Sequence, residues 1–384
     1  MKVQNFKYYM PVKIFFGEGR LEELGTLTKG LGEKALLVTG RKSMRKLGIT
    51  DKVMKLLQES FVKVVLYDEV TPNPTVEVVN EGAKIAVKEG CDVIIGLGGG
   101  SALDSAKGIA VVASHGGSAW DYIGEGKVTE KTLPIVAIPT TAGTGSETTL
   151  VSVLTNKKNL RKDAISSPYI FPKVAIVDPD LMKSMPSELT ADTGFDALAH
   201  AVEAYLSINA NPFSDILAMK SISLINDSLV EATKNGEDLE ARGNMALASS
   251  LAGMAIAQAG VVAGHGFGMS IGGILDTPHG RTVGILLPSV ISYNLPEVSE
   301  RISQLASCFN LPATGDSMND AWKVIEAIKK MMKEMNFPTR LRDIGVGRKD
   351  IPKIVEDCMD RPDIANNPKK IDYKEAQKFL ESIV

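Results

Sequence analysis

A chain of 384 residues exceeds what one hydrophobic core holds, because cores rarely grow far beyond ~250 to 300 residues, so two domains are expected. Its 44% hydrophobic and 23% charged residues exclude a disordered chain. A formal net charge of −3 gives no broad attraction to nucleic acid or anionic lipid, and neither is expected as a partner.

The N-terminal stretch is interrupted by Lys2, Lys7, Pro11 and Lys13, so it lacks the apolar region of a signal peptide. Three scattered cysteines, Cys91, Cys308 and Cys358, have no C-x-x-C spacing and are odd in number, which points to a reducing, cytoplasmic setting. Short β-branched runs then alternate with helical patterns, predicting strands over 35–39, 62–67, 93–97, 134–138 and 174–177 and helices over 43–58, 76–88 and 102–113. That order is the signature of a mainly parallel sheet covered on both faces, with ligands at the strand ends.

The first strand end reads Gly40-Arg41-Lys42-Ser43, where an NAD site would usually place an acid against the ribose 2′-hydroxyl; no acid occurs before Asp51. Two basic residues at a helix N-terminus run against the macrodipole, and a 2′-phosphate would satisfy them, so NADP is preferred over NAD, against the plainer reading of a solvated loop. Gly98-Gly99-Gly100-Ser101 follows a buried-strand pattern and opens a helix, a place where N–H groups converge on a pyrophosphate. Ser101 with Asp104 fits a capping box, so part of this signal is helix initiation alone. Pro139 to Glu147, with Thr140, Thr141 and Thr144, is a second glycine turn at the same sheet edge, and two such loops imply a phosphate-bearing cofactor.

Beyond Asp178-Pro179-Asp180 the pattern becomes helical, with 193–206, 215–229 and 318–335 as examples. The expected architecture is an α/β dinucleotide-binding domain over 1–180 and an all-α domain over 181–384. Residues 245–275 carry no Asp, Glu, Lys or Arg, a transmembrane candidate by length. The run is dominated by Ala, Gly and Ser and contains Gln258 and His265, so it reads as buried helix.

Only four histidines occur, His115, His200, His265 and His279. Asp196 and His200 lie four apart on a predicted helix, hence on one face; such a pair arises by chance in roughly one such chain in two and carries little alone. His265 sits in the charge-free run and His279 in a turn-like Pro278-His279-Gly280, either of which a satisfied core imidazole would explain singly. Together the four residues give one carboxylate and three imidazoles, a donor set suited to Fe(II) or Zn(II). His115 lies outside these motifs and reads as a surface-loop residue.

Over essentially its whole length the chain resembles the iron-containing alcohol dehydrogenases, whose fold is dehydroquinate synthase-like. The resemblance is carried by Phe15-Phe16-Gly17, Pro72-Asn73-Pro74-Thr75, the Gly98 to Ser101 and Pro139 to Glu147 loops, Val177-Asp178-Pro179, Asp196 with His200, and Pro278-His279-Gly280. It implies that Asp196, His200, His265 and His279 bind a catalytic divalent metal, usually Fe(II). It also implies that Gly98, Gly99, Ser101, Asp104, Thr140, Thr141, Thr144 and Lys162 contact the cofactor, and that the chain forms a homodimer or larger assembly acting on small alcohols, diols or aldehydes. One position departs from the family's usual His-Gly-Met-Ala-His: Met269 follows His265 where a second histidine is common. Methionine carries no proton, so a metal-bound water or a cofactor ribose hydroxyl is expected to do so instead. A glycerol-type dehydrogenase, a hydroxyacid-oxoacid transhydrogenase, a dehydroquinate synthase-type lyase and a non-enzymatic metal-binding protein are the rival readings.

Overall fold

The structure, a computed structural model, describes residues 5–384. Two compact units divide it: residues 10–184, and residues 185–384 together with 5–9.

The unit spanning 10–184 opens with strand β1 (Lys13–Phe16), helix α1 (Leu24–Lys29) and strand β2 (Lys34–Gly40). Helices α2 (Ser43–Lys46) and α3 (Ile49–Glu59), strand β3 (Lys63–Val70), helix α4 (Val76–Glu89) and strand β4 (Val93–Gly98) follow. Helix α5 (Gly100–His115), short strand β5 (Gly124–Glu125), β6 (Ile135–Pro139), β7 (Val151–Asn156), β8 (Arg161–Ser166) and β9 (Val174–Val177) complete it. Six strands form one parallel sheet in the order β1-β9-β6-β4-β2-β3. Alternate side chains feed opposite faces: Leu36, Val38 and Ile94 pack with Val79 and Ile109 of α4 and α5. Ala35, Leu37, Ile95, Leu97, Val136, Ile138 and Ile176 pack with Leu24, Val53 and Leu57 of α1 and α3. The predicted doubly wound pattern is therefore present, and because β2 leads outward to β3 while β4 lies on its other side, the chain reverses direction between β2 and β4. At such a switch point the carboxyl ends of two strands open a crevice, here flanked by Gly40 and Gly98.

Three expectations need correction. The helix expected over 43–58 is two helices, broken at Gly48, whose φ of +72° ends one and starts the next. The capping box expected of Ser101 and Asp104 is absent: α5 begins after Gly99 with no side-chain cap, because the Asp104 carboxylate is spent on Ser146 and Val153. A small second sheet, β5-β8-β7, was not foreseen. In its antiparallel β7–β8 hairpin the buried positions mix polar Ser152, Thr155 and Lys162 with apolar Leu154 and Ile165, so no clean apolar alternation marks it.

The unit spanning 185–384 is helical: α6 (Ser187–Leu206), α7 (Pro212–Lys234), α8 (Leu239–Ala259), α9 (Ala263–Leu275), α10 (His279–Gln304), α11 (Ser317–Glu334), α12 (Ile351–Cys358), α13 (Pro362–Ala365) and α14 (Tyr373–Glu381). Helix α6 is buried almost from end to end. The charge-free run is two helices, α8 and α9, meeting at 101°. No single described helix is long and apolar enough to cross a membrane; this bent pair passes by length and composition, yet its residues are mostly buried within the unit. Gln258, the polar residue of that run, donates to the Tyr9 carbonyl (2.9 Å) and accepts from the Tyr9 N–H (3.0 Å), tying residues 5–9 to α8.

Helix α5 crosses the sheet over Gly96, where a Cβ would lie 3.0 Å from Ala106 Cβ and 3.2 Å from the Leu103 Cα. Backbone cannot retreat as a side chain can, so Gly96→Val is expected to cost about 1 to 3 kcal/mol, read as a fall in the thermal midpoint of the purified protein.

Candidate metal centre and cofactor loops

Helix α6 supplies Asp196 and His200 one turn apart, α9 supplies His265, and His279 is the first residue of α10. The turn expected at His279 is thus a helix start, which leaves its ring at an end rather than along a crowded face. Asp196, His265 and His279 each offer a ligand atom within 4.8 Å of the others. Asp196 Oδ1 lies 3.8 Å from His265 Nε2 and 3.8 Å from His279 Nε2. His200 is buried beside them with its ring stacked on that of His265, centroids 4.4 Å apart, so it adjoins the cluster without joining the tight triad. The fourth histidine, His115, ends α5.

Close approach of the three helices depends on glycine. A Cβ at Gly280 would meet the Asp192 carbonyl oxygen at 2.3 Å, at Gly268 the Val283 Cγ1 at 2.6 Å, and at Gly264 the Glu203 Oε1 at 2.2 Å. A bidentate ion pair clamps the same contact: Arg281 Nε and Nη2 donate to Asp192 at 2.9 and 2.8 Å, two residues after His279 and four before Asp196.

The charged groups of the cluster compensate one another. Burial would push the Asp196 carboxyl up, but His200, His265 and His279 around it prevail and hold it well below the usual carboxylate range. Burial would lower His265, but Glu203 and Asp196 prevail and raise it to about 10. Glu203, with no exposed surface, accepts from His265 Nδ1 (3.0 Å) and from the N–H groups of Val262 (2.8 Å) and His265 (3.2 Å). With Nδ1 committed to Glu203, Nε2 is the nitrogen left to serve as a ligand, and it faces Asp196 Oδ1 while neither atom has a hydrogen bond. Two buried, unbonded atoms of ligand type at 3.8 Å are what a shared cation with ~2.1 Å bonds would occupy, so these residues fit a divalent metal.

Glu203 was missed by the sequence reading although its signal was present: 192, 196, 200 and 203 fall on one stripe of α6, at i, i+4, i+8 and i+11. Carboxylates behind metal-ligating imidazoles fix tautomer and ring orientation.

In the other unit, Gly98 closes β4 with φ +144°, and Gly99 precedes α5. Thr140 follows β6 and its N–H donates to the Gly98 carbonyl (2.9 Å), joining the two glycine loops directly. A Cβ on Gly100 would meet Thr144 Cγ2 at 2.5 Å, and one on Gly99 would meet Thr141 Oγ1 at 3.1 Å. Gly98, Gly99, Gly100, Ser101, Thr140, Thr141 and Thr144 are therefore brought to one sheet edge. Asp104 lies beneath them, and burial pushes its carboxyl up. Lys162 is buried and donates to Asn73 Oδ1 (2.9 Å), in the Pro72 to Thr75 turn. At the end of β2, Arg41 pairs with Glu69 (2.8 Å) and Arg45 with Asp68 (2.9 Å), acids contributed by β3.

Comparison with known proteins finds two family matches: iron-containing alcohol dehydrogenase over residues 11–179, and the C-terminal part of the Fe-containing alcohol dehydrogenase family over 190–384. The chain is 41% identical to a 1,3-propanediol dehydrogenase of Citrobacter freundii, covering 99% of both chains. Among solved structures, it matches a 1,3-propanediol oxidoreductase at 40% identity with a TM-score of 0.95, covering 99% of this chain and 100% of that one. A sulfoacetaldehyde reductase from Bifidobacterium kashiwanohense in complex with NAD+ matches at 31% identity and a TM-score of 0.89, covering 99% of each.

If Glu203 fixes the His265 ring, Glu203→Gln should weaken divalent-metal affinity by about 10- to 100-fold in chelator competition while helical circular dichroism is retained.

Proposed function

Because the chain belongs to the iron-containing alcohol dehydrogenase family, we propose that it is a metal-dependent, NADP-preferring dehydrogenase of small primary alcohols or diols and their aldehydes. The observation that supports this reading most directly is the convergence of buried Asp196 and His265 with half-buried His279. With His200 as the fourth donor they would hold Fe(II), or Zn(II), since first-row affinities overlap. A bound cation supplies Lewis acidity and the nicotinamide supplies or accepts hydride, the pairing that interconverts alcohols and carbonyl compounds.

The chain's own residues do the rest. Glu203 holds the His265 tautomer, and the Asp192–Arg281 pair holds α10 against α6 so that His279 stays beside Asp196. The 10–184 unit would bind the cofactor through Gly40, Arg41, Lys42, Ser43, Gly98, Gly99, Gly100, Ser101, Asp104, Thr140, Thr141, Thr144 and Lys162. For the 2′-phosphate, Gly40 removes any acid from the end of β2, and the Arg41–Glu69 pair is more than half exposed at both ends. An ion pair in that setting contributes about 0 to 1 kcal/mol, so Arg41 can exchange Glu69 for a phosphate. Met269, one turn beyond His265 on the same helix face, offers no proton carrier there, so protons leave by way of water or the cofactor ribose. A cytoplasmic homodimer or larger homo-oligomer, with no nucleic-acid or membrane partner, completes the proposal.

The decisive experiment is anaerobic reconstitution with Fe(II), Zn(II) or no metal, followed by reduction of propanal and 3-hydroxypropanal with NADPH and NADH. Activity restored by metal, with higher kcat/KM for NADPH, is expected; turnover in the fully chelated protein would sink the reading. Replacing both Arg41 and Lys42 by Ala should lower kcat/KM with NADPH about tenfold and leave NADH nearly unchanged, as loss of charge-assisted phosphate contacts requires. The wild-type pH profile should lack a limb near ~6.5, and Met269→His should introduce one.

A further inference from the structure

Lys107 is completely buried on α5, two turns below the glycine loop, and the proposed chemistry gives it no task. Its ammonium donates to Ser146 Oγ (2.9 Å), Thr149 Oγ1 (2.9 Å) and the Val151 carbonyl (2.8 Å). All three protons are thereby used, and none remains for a phosphate. Ser146 Oγ in turn donates to Asp104 Oδ1 (2.6 Å), whose other oxygen accepts from the Val153 N–H (3.1 Å). Ser152 Oγ donates to the Asp104 carbonyl (2.7 Å). One turn of α5 thus grips both ends of the segment from Ser146 to Val153, and the Ser146 N–H donates to Thr144 Oγ1 (3.2 Å) at the loop itself. From above, Thr141 and Thr144 rest on Gly99 and Gly100, which have no side chain to hold them off.

We propose that Lys107 and Asp104 are positioning residues for cofactor binding: acting through Ser146 and Thr149, they set the height of the second glycine loop above the N-terminus of α5. Asp104, one of the residues proposed for cofactor binding, then takes part through Ser146 rather than by touching the cofactor, since both of its oxygens are engaged by Ser146 and Val153. This rests on the reading that the glycine loops bind NAD(P). The geometry explains why an ammonium is used. No neutral side chain donates three hydrogen bonds at once, and two hydroxyls and a carbonyl from separate turns of one loop are fixed by a single atom. Its buried charge is offset by Asp104 and Glu147, with Lys162 also near Asp104, so the group carries its own counter-ions. Burial lowers Lys107 to about 8 against the pull of those acids, so the ammonium is retained at neutral pH.

The test uses the full-length, metal-loaded protein and compares wild type with Lys107→Met and Ser146→Ala. NADPH and NADH dissociation constants, KM, kcat at saturating cofactor, metal content and thermal midpoint are measured for each. Both variants are expected to bind cofactor about tenfold or more weakly, with KM rising in step, while kcat stays within about two-fold and metal content is unchanged. Should Lys107→Met fail to fold, Ser146→Ala decides, since it removes one hydroxyl and keeps every charge. A folded Ser146→Ala with wild-type cofactor affinity, or one that loses kcat with affinity intact, overturns the proposal. Failure of the wild-type protein to bind either nucleotide overturns the cofactor reading instead, and is seen before any variant is made.

Discussion

A carboxylate with 3% of its side chain exposed, set 3.8 Å from two imidazole nitrogens and close to a third ring, is the arrangement around which the helical unit is organised. Removing such groups from water costs several kcal/mol per ion unless partners compensate, so they stay together only where something recovers that cost. Part of the recovery lies within the chain, since Glu203 satisfies His265 from behind and two backbone N–H groups satisfy Glu203. A divalent cation would supply the remainder, because it accepts a carboxylate oxygen and imidazole lone pairs at the same time. Packing follows from this requirement: Gly264, Gly268 and Gly280 stand where three helices must approach more closely than any Cβ allows, and the Arg281–Asp192 pair locks the crossing.

The α/β unit answers a different constraint. A phosphate cradle made of backbone is only as precise as the loops that form it, and loops are the mobile part of a fold. Here the loop after β6 is bonded to the loop after β4 through Thr140, laid on Gly99 and Gly100, and tethered from below by a buried lysine. Rigid elements on every side replace the flexibility that glycine brings. On the proposed function, a nicotinamide and a Lewis-acidic cation would both require placement to fractions of an ångström, and each unit holds its candidate site with buried charge rather than with surface contacts.

Where the sequence reading diverged from the structure, the cause was local ambiguity resolved by tertiary contacts. Ser101 and Asp104 have the spacing of a capping box, but Asp104 finds better partners in Ser146 and Val153, more than forty residues away. The β7–β8 hairpin hid because polar residues interrupt its buried positions: Ser152 donates to the Asp104 carbonyl, and Thr155 and Lys162 are buried along with the core residues Leu154 and Ile165. The end of β2 showed no acid before Asp51 in the sequence, whereas Glu69 reaches Arg41 from the neighbouring strand.

Local chemistry was legible in the sequence because it depends on short spacing. The parallel sheet followed from strands alternating with helices, the helical second unit from its periodicity, and the Asp196–His200 pair from one turn of helix. The family could be seen for the same reason, its motifs being short, ordered and spread along the whole chain. Tertiary structure alone decided what meets across long stretches of sequence: Glu203 behind His265 sixty-two residues on, Arg281 on Asp192, and Lys107 under a loop forty residues away. Those partnerships are set by how helices cross and where a glycine lets them close, and no periodicity along a single element encodes the distance between two of them.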